Sequence, residues 1–194
     1  MARTGALLRV FIAVKVDEPS LVARVKQLQE DLERAGLRAK YVEPENLHIT
    51  LRFVGEIPAE KVGLLRQKLR EVCYRKFSML IKGAGAFPNL SRPRVLWLGV
   101  DEGAAELSQL AGFISRIVDS LRLGSPSGSS EETFTPHLTI ARLKAPPPPE
   151  ARRIVESLAE AVFGQQYVDS FYLFKSDLTP RGPIYTVIER YALE

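Results

Sequence analysis

The chain has 194 residues, of which 45% are hydrophobic and 26% are charged. These fractions are ordinary for a folded globular protein and exclude a disordered or fibrous chain. The formal net charge is +4 at pH 7, an excess that permits an anionic partner such as a nucleic acid without requiring one. We therefore expect one large domain, or two small lobes that share a core.

The composition also indicates a location. The only cysteine is Cys73, so an intramolecular disulfide is excluded and a reducing compartment is favoured. The first apolar stretch, residues 7–16, is interrupted by Arg9 and Lys15, and it predicts a strand rather than a signal peptide. No apolar run approaches the roughly 20 residues that cross a bilayer. We expect a cytoplasmic protein that does not enter the membrane.

Apolar periodicity predicts a mixture of strands and helices along the chain. The first half predicts, in order, a strand at Arg9–Val16, a helix from Pro19 to a stop at Gly36, a strand at Leu47–Val54, a helix at Pro58–Arg75, and strands at Phe77–Phe87 and Arg94–Val100. The second half predicts a helix marked by Leu107–Leu121, a strand at Thr133–Leu143, a helix at Arg152–Phe163, and strands at Tyr167–Ser176 and Pro183–Leu193.

Two segments predict no regular structure. The Gly/Ser-rich segment Gly124–Glu132 is typical of a mobile loop, and the proline run in Ala145–Glu150 is typical of a stiff connector. Strands and helices do not alternate strictly, and several neighbouring strands have short connections. The pattern favours an α+β fold with largely antiparallel sheets over a doubly wound parallel sheet.

A four-residue motif occurs twice, as His48-Ile49-Thr50-Leu51 and as His137-Leu138-Thr139-Ile140. Both copies lie in alternating strands, so the histidine and threonine of each copy share one face while the apolar residues face a core. The chain has only these two histidines. We therefore predict two similar lobes within one domain, residues 1–194, each presenting one motif across a central cleft, with helices on the outside.

Two histidines and two threonines around one cleft are suited to acid–base chemistry on a phosphate group. Because imidazole has a pKa near 6.5, one ring can act as a general base while the other acts as a general acid. The hydroxyl groups of Thr50 and Thr139 can donate hydrogen bonds to the oxygens of a phosphate. This set predicts cleavage of a phosphodiester without a metal ion or another cofactor.

The residues closely resemble the two-histidine (2H) phosphoesterase superfamily, in its RNA 2′,3′-cyclic phosphodiesterase branch, which is LigT-like and was formerly labelled 2′-5′ RNA ligase. The similar segments are RVFIAV, ENLHITLRFVGE, GAFPNLSRPRVLWLGV, FTPHLTIAR and SDLTPRGPIYTVIERYAL. The resemblance implies a bilobal α+β fold with a pseudo-two-fold axis. It also implies hydrolysis of a terminal 2′,3′-cyclic phosphate to a 2′-phosphate, with 2′-5′ ligation in some members.

The resemblance also implies roles for individual residues. His48 and His137 are the catalytic pair, with His137 favoured as the base and His48 as the acid, although the near-symmetry of the site leaves the order open. Thr50 and Thr139 bind the phosphate. Arg142 is a further phosphate contact, but strict alternation places it opposite the His137 face, so a twist, a bulge or the strand end must turn it inward.

Two neighbours of the first motif are candidate RNA contacts. Alternation places Arg52 on the face of His48, where it can meet a phosphate or the RNA backbone. Phe53 holds the matching place of Arg142 and can stack on a base, or it can belong to the core.

The sequence can also be compared with three other functions: a zinc enzyme, a module that only binds RNA ends, and a 2′-5′ RNA ligase. A zinc site is disfavoured, because two distant histidines and one cysteine do not form the usual ligand set. A non-catalytic module that binds RNA ends, and a 2′-5′ RNA ligase acting at the same site, both remain open. The expected substrates are RNA ends or small cyclic nucleotides. Because both motifs lie in one chain, we expect a monomer.

Overall fold

The structure is a computed structural model, and it describes residues 6–123 and 134–194. Within these residues, nine strands are β1 Leu7–Lys15, β2 Ala39–Tyr41, β3 His48–Pro58, β4 Phe77–Phe87, β5 Val95–Val100, β6 His137–Leu143, β7 Val162–Val168, β8 Ser170–Thr179 and β9 Gly182–Ala192. The helices are α1 Pro19–Arg34, α2 Ala59–Leu69, α3 Ala104–Ser120 and α4 Pro149–Ser157, with a short 3-10 helix at Pro44–Asn46.

The strands form two antiparallel sheets. The first sheet has the order β3-β1-β8-β9, and the second has the order β2-β6-β5-β4-β7. Every strand pair described is antiparallel, which confirms the α+β class. The sheets do not divide the chain into a first and a second half, because the first sheet takes two strands from each end. The single 1–194 domain stays a prediction.

Local signals in the sequence explain the first helix, α1. Pro19 opens it, and the Glu18 carboxylate caps it by accepting a hydrogen bond of 2.9 Å from the backbone N–H of Leu21. Gly36, at φ +83°, and Leu37 close the helix through N–H bonds to the carbonyls of Glu33 and Leu32. These two hydrogen bonds satisfy carbonyl groups that have no partner within the helix. They require a left-handed backbone conformation at residue 36, which glycine adopts easily.

The core lies between the sheets and the helices, and both motifs contribute to it. Ile49 and Leu138, which separate the histidine from the threonine in each motif, are fully buried at 0% exposure. Leu51 and Ile140 are also buried. Burying one such side chain contributes about 1.5–3 kcal/mol, so the core fixes which face of each strand the histidine and threonine occupy.

A buried glutamine joins the two sheets. Gln166 of β7 donates a hydrogen bond of 2.7 Å from Nε2 to the carbonyl of Lys15 at the end of β1. Its Oε1 accepts bonds from the backbone N–H groups of Asp17 and Glu18. Three bonds from one buried side chain hold the end of β1 against the second sheet.

Two helix boundaries differ from the sequence prediction. The helix predicted to end at Arg75 ends at Leu69, because Tyr74 and Lys76 form backbone hydrogen bonds with Glu194 instead. The helix predicted at Arg152–Phe163 is α4, Pro149–Ser157. It begins inside the predicted proline connector, because a proline in the first turn of a helix loses no hydrogen bond there.

The strand β7 was missed as a separate element. Val162–Val168 pairs with β4, so sheet pairing overrides the helical pattern that predicts a helix as far as Phe163. The short β2 was also missed, since three residues are too few to show periodicity. The predicted loop Gly124–Glu132, and Thr133 at the start of a predicted strand, lie outside the described residues.

Candidate active site

The two histidines begin strands of different sheets and line one cleft. His48 is the first residue of β3 in the first sheet, and His137 is the first residue of β6 in the second. Thr50, Thr139 and Arg142 line the same cleft, whose volume is about 730 Å³ including the solvent at its mouth. The structure thus brings together five of the seven residues proposed from the sequence.

Each histidine ring is held by an equivalent hydrogen bond. Nδ1 of His48 lies 2.6 Å from the carbonyl oxygen of Asn46, and Nδ1 of His137 lies 2.8 Å from the carbonyl oxygen of Thr135. A carbonyl oxygen only accepts, so Nδ1 carries the proton in both rings. Consequently Nε2 is the atom of each ring that can gain or lose a proton in the cleft.

Aromatic rings surround His48. The ring of Phe11 lies 5.1 Å from it, Tyr185 meets it edge-on at 5.3 Å, and Phe174 lies 6.4 Å away. This burial lowers the pKa of His48 below 6.5, since an apolar enclosure disfavours the charged imidazolium. The hydrogen bond to Asn46 raises the pKa, whereas the positive charge of Arg142 and the second histidine lower it.

The surroundings of His137 are different. Phe87 meets its ring edge-on at 4.9 Å, and Trp97 lies 6.5 Å away. Phe87 is 37% exposed, so this ring contact borders solvent. The two imidazoles therefore share their backbone anchoring but not their enclosure.

A β-bulge turns Arg142 into the cleft. Along the β5–β6 ladder, Trp97 pairs with Thr139 and Leu96 pairs with Ala141, so Ile140 is an extra residue. An extra residue reverses the alternation of faces beyond it. Arg142 therefore lies on the face of His137 and Thr139, as its place in the cleft lining and its effect on the pKa of His48 both indicate.

Comparison with known proteins then places the chain. A family model described as LigT like phosphoesterase matches residues 16–97 and 102–185. The chain belongs to this family. Among its relatives, the RNA 2′,3′-cyclic phosphodiesterase of Archaeoglobus fulgidus is 40% identical over 92% of this chain and 96% of that protein. The protein of the same name from Aquifex aeolicus is 35% identical over 97% of this chain and 96% of that protein.

A solved structure agrees with the family assignment. The crystal structure of TT0787 of Thermus thermophilus matches with a TM-score of 0.77 and 33% sequence identity. The match covers 95% of this chain and 97% of that chain. The α+β fold with two antiparallel sheets is therefore shared over nearly the whole length of this LigT-like phosphoesterase.

The prediction that Arg52 shares the face of His48 is wrong. Ile12 pairs with Arg52 and Ala13 pairs with Thr50, so Leu51 is an extra residue that reverses the alternation. The guanidinium of Arg52 donates a hydrogen bond of 2.6 Å to the carboxylate of Asp119 on α3. Arg52 therefore fastens the first sheet of the LigT-like phosphoesterase to a helix.

Phe53 lies on the cleft-facing side of the first sheet, but it is not part of the cleft lining. It packs against the small cluster of Phe11, Ala13 and Phe174, and the guanidinium of Arg9 lies 4.8 Å from the centre of its ring. Five aromatic side chains share this surface, which we call the aromatic face of the first sheet: Phe11, Phe53, Tyr172, Phe174 and Tyr185.

Sequence reasoning missed several residues of the cleft. Lys40 lies in β2, Glu43 directly precedes the 3-10 helix, Asn46 ends that helix, and Pro183 and Tyr185 lie in β9. Asn46 lies two residues before His48, within the similar segment ENLHITLRFVGE. Lys40 reaches the second motif through the pairing of β2 with β6, and Pro183 and Tyr185 lie in the similar ending SDLTPRGPIYTVIERYAL, which only tertiary structure brings to the cleft.

The described part of this phosphoesterase was also searched for metal-binding clusters and for membrane-spanning helices. Across residues 6–123 and 134–194, no three His, Cys, Asp or Glu side chains come close enough to form a metal site. Within the same residues, no helix is long and apolar enough to cross a membrane.

Proposed function

We propose that this LigT-like phosphoesterase hydrolyses the 2′,3′-cyclic phosphate at the end of an RNA to a 2′-phosphate, with His48 and His137 as its acid–base pair. One observation carries the proposal. Both imidazoles have Nδ1 fixed on a carbonyl oxygen and line one cleft with two threonines and an arginine. The activity printed in the names of relatives up to 40% identical supports the same reaction.

The proposed phosphate site uses charge and hydroxyl groups. Arg142 offers N–H donors with a permanent positive charge to the non-bridging oxygens of the phosphate. Thr50 and Thr139 offer hydroxyl donors from opposite sides of the cleft, beside their histidines. These donors stabilise the negative charge that grows on the oxygens in the transition state, and this role does not call for a metal ion.

The proton transfers follow from the two Nε2 atoms. One imidazole accepts a proton from water as the water oxygen bonds to phosphorus. The bond between phosphorus and O3′ breaks, and the other imidazole donates its proton to O3′. The products are a 2′-phosphate and a 3′-hydroxyl, and each proton transfer contributes about a hundred- to ten-thousand-fold in rate.

We propose His137 as the base and His48 as the acid. The lowered pKa of His48 in the free protein is compatible with this order, because a bound phosphate anion raises the pKa of a neighbouring imidazole and so favours the charged ring once substrate is in place.

The direct test uses a short RNA that ends in a 2′,3′-cyclic phosphate, incubated with the protein in EDTA. We expect ring opening to give only the 2′-phosphate, identified by chromatography against both isomers. A protein that binds the RNA without opening the ring would instead be a non-catalytic module, and activity lost in EDTA and restored by zinc would indicate a metal enzyme. Adding an RNA with a free 5′-hydroxyl measures 2′-5′ ligation in the same reaction.

We further propose that the protein acts as a cytoplasmic monomer. All the residues of the proposed site come from one chain, so catalysis does not call for a partner subunit. Light scattering during gel filtration should give a mass near 21.7 kDa. A stable dimer would contradict the proposed monomer without affecting the proposed chemistry.

A further inference from the structure

Lys15 lies beside the catalytic cleft at the end of β1. In the β1–β3 ladder it pairs with His48, so the two Cα atoms lie about 4.5–5.5 Å apart. Its ammonium group lies 4.8 Å from the centre of the Tyr172 ring and 5.8 Å from the centre of the Phe174 ring. The lysine thus extends from the strand end next to His48 over the aromatic face of the first sheet.

The position of Lys15 is fixed by the fold. Its carbonyl oxygen accepts a hydrogen bond of 2.7 Å from Gln166, whose side chain is only 7% exposed. Two ring contacts then restrain the long side chain, since an ammonium group is attracted to the face of an aromatic ring. A cation held in this way needs little further ordering when it binds an anion.

The charge of Lys15 is not neutralised by the described part of the chain. Lys40 at the cleft pairs with Glu43 at 3.0 Å, and Lys175 on β8 pairs with Asp177 at 2.9 Å. Among the residues that the structure describes, no carboxylate oxygen lies within 4.0 Å of the ammonium group of Lys15. A fixed lysine without a carboxylate partner next to a phosphate site is suited to bind a second phosphate.

We propose that Lys15 binds the phosphate on the 5′ side of the terminal nucleotide, forming a second phosphate subsite that favours RNA ends over nucleoside 2′,3′-cyclic phosphates without a 5′-phosphate. This inference rests on the proposed function. The cyclic phosphate occupies the cleft between the histidines, and the ribose carries the chain away from it. With strands about 4.8 Å apart, the ammonium group lies one to two strand spacings, about 5–10 Å, from β3. In single-stranded RNA, the two phosphates that flank one nucleotide are separated by a distance of the same order.

The aromatic face explains why a phosphate is the expected group here. Lys15 already lies over the ring of Tyr172, so that face of the ring is occupied and the ammonium group is the group presented to a ligand. An ammonium group without a counter-charge binds a phosphate through charge-assisted hydrogen bonds, which are stronger than neutral ones.

The test compares adenosine 2′,3′-cyclic phosphate with the same nucleotide carrying a 5′-phosphate, and with an ApA dinucleotide ending in the cyclic phosphate. We expect kcat/KM to be about tenfold higher for both substrates that carry the 5′-side phosphate, as one charge-assisted hydrogen bond implies. In Lys15→Met this preference should disappear, whereas Lys15→Arg should keep most of it. Lys26→Met, on the exposed side of α1, is the matched control and should keep the full preference.

Ionic strength gives a second readout. A lost phosphate contact should reduce the slope of log kcat/KM against log salt by about 0.7 for the dinucleotide, and Lys26→Met should not change it. Thermal melts by circular dichroism establish that each variant is folded. Equal kcat/KM for all three wild-type substrates, or a preference that survives in folded Lys15→Met, would overturn the subsite. Failure of the wild type to open any of the three rings would refute the proposed function instead.

Discussion

Leu51 and Ile140 hold the same position in two strands of separate sheets, each as the extra residue of a β-bulge directly after the threonine of its motif. Both side chains are buried. The bulges have opposite consequences for the following arginines, because these lie one residue after the bulge in β3 and two residues after it in β6. Arg52 turns towards α3, and Arg142 turns into the cleft.

The two arginines should therefore respond differently to substitution. We expect Arg142→Ala to lower kcat/KM by about ten- to a hundredfold, with a fall in kcat as well as weaker binding, because a charge-assisted contact to phosphate that strengthens in the transition state is lost. Arg52→Ala should instead lower the free energy of unfolding by about 1 kcal/mol, since its ion pair joins a strand to a helix and its partner Asp119 is half exposed. Steady-state kinetics and urea unfolding of both variants separate these effects, and the reverse pattern would refute the placement of the two side chains.

The enclosure of His48 has a spectroscopic consequence. Because burial lowers its pKa, a proton NMR titration of the Cε1–H signal should give a midpoint below 6.5 in the free protein. Inorganic phosphate should raise the midpoint by placing a negative charge beside the ring. Tyr185→Ala, which opens one side of the enclosure, should also raise it. A midpoint above 6.5 in the free protein would contradict the described enclosure.

Protein stability should depend on pH through the same ring. The folded state binds a proton at His48 less readily than the unfolded state, in which the pKa is near 6.5. The contribution of His48 is therefore complete above pH 6.5 and is lost as the pH falls below that value. Urea unfolding at pH 7.5 and 5.5 should show a larger loss for the wild type than for His48→Asn. An equal loss in both proteins would argue against the lowered pKa.

The roles of the histidines can be separated with a modified leaving group. A cyclic phosphate with sulfur in place of the bridging O3′ needs little protonation as the bond to phosphorus breaks, because a thiolate is a stable leaving group. We expect this substrate to restore much of the rate lost in His48→Ala and little of the rate lost in His137→Ala. If the rate is restored in His137→Ala and not in His48→Ala, the roles of acid and base are exchanged, but the proposed reaction is unchanged.

The sequence could predict what depends on local periodicity. Alternation placed each histidine on the same face as its threonine, and it placed Ile49 and Leu138 in the core. The bulges were not predictable, because an extra residue shows only against the partner strand. For this reason, simple alternation predicts the wrong face for Arg52 and places Arg142 opposite the face that its expected role requires. The positions of Lys15 and Tyr185 beside His48 were also not predictable, because they depend on pairings between strands that are far apart in the sequence.

The central claim is that both histidines act in one reaction, and the most direct measurement is the rate of each single variant on adenosine 2′,3′-cyclic phosphate in EDTA. We predict that His48→Ala and His137→Ala each lower kcat by about a hundred- to ten-thousand-fold while both proteins remain folded. The double variant should be slower by much less than the product of the two factors, because the pair acts as a unit. A folded single variant that retains the wild-type rate would contradict the account.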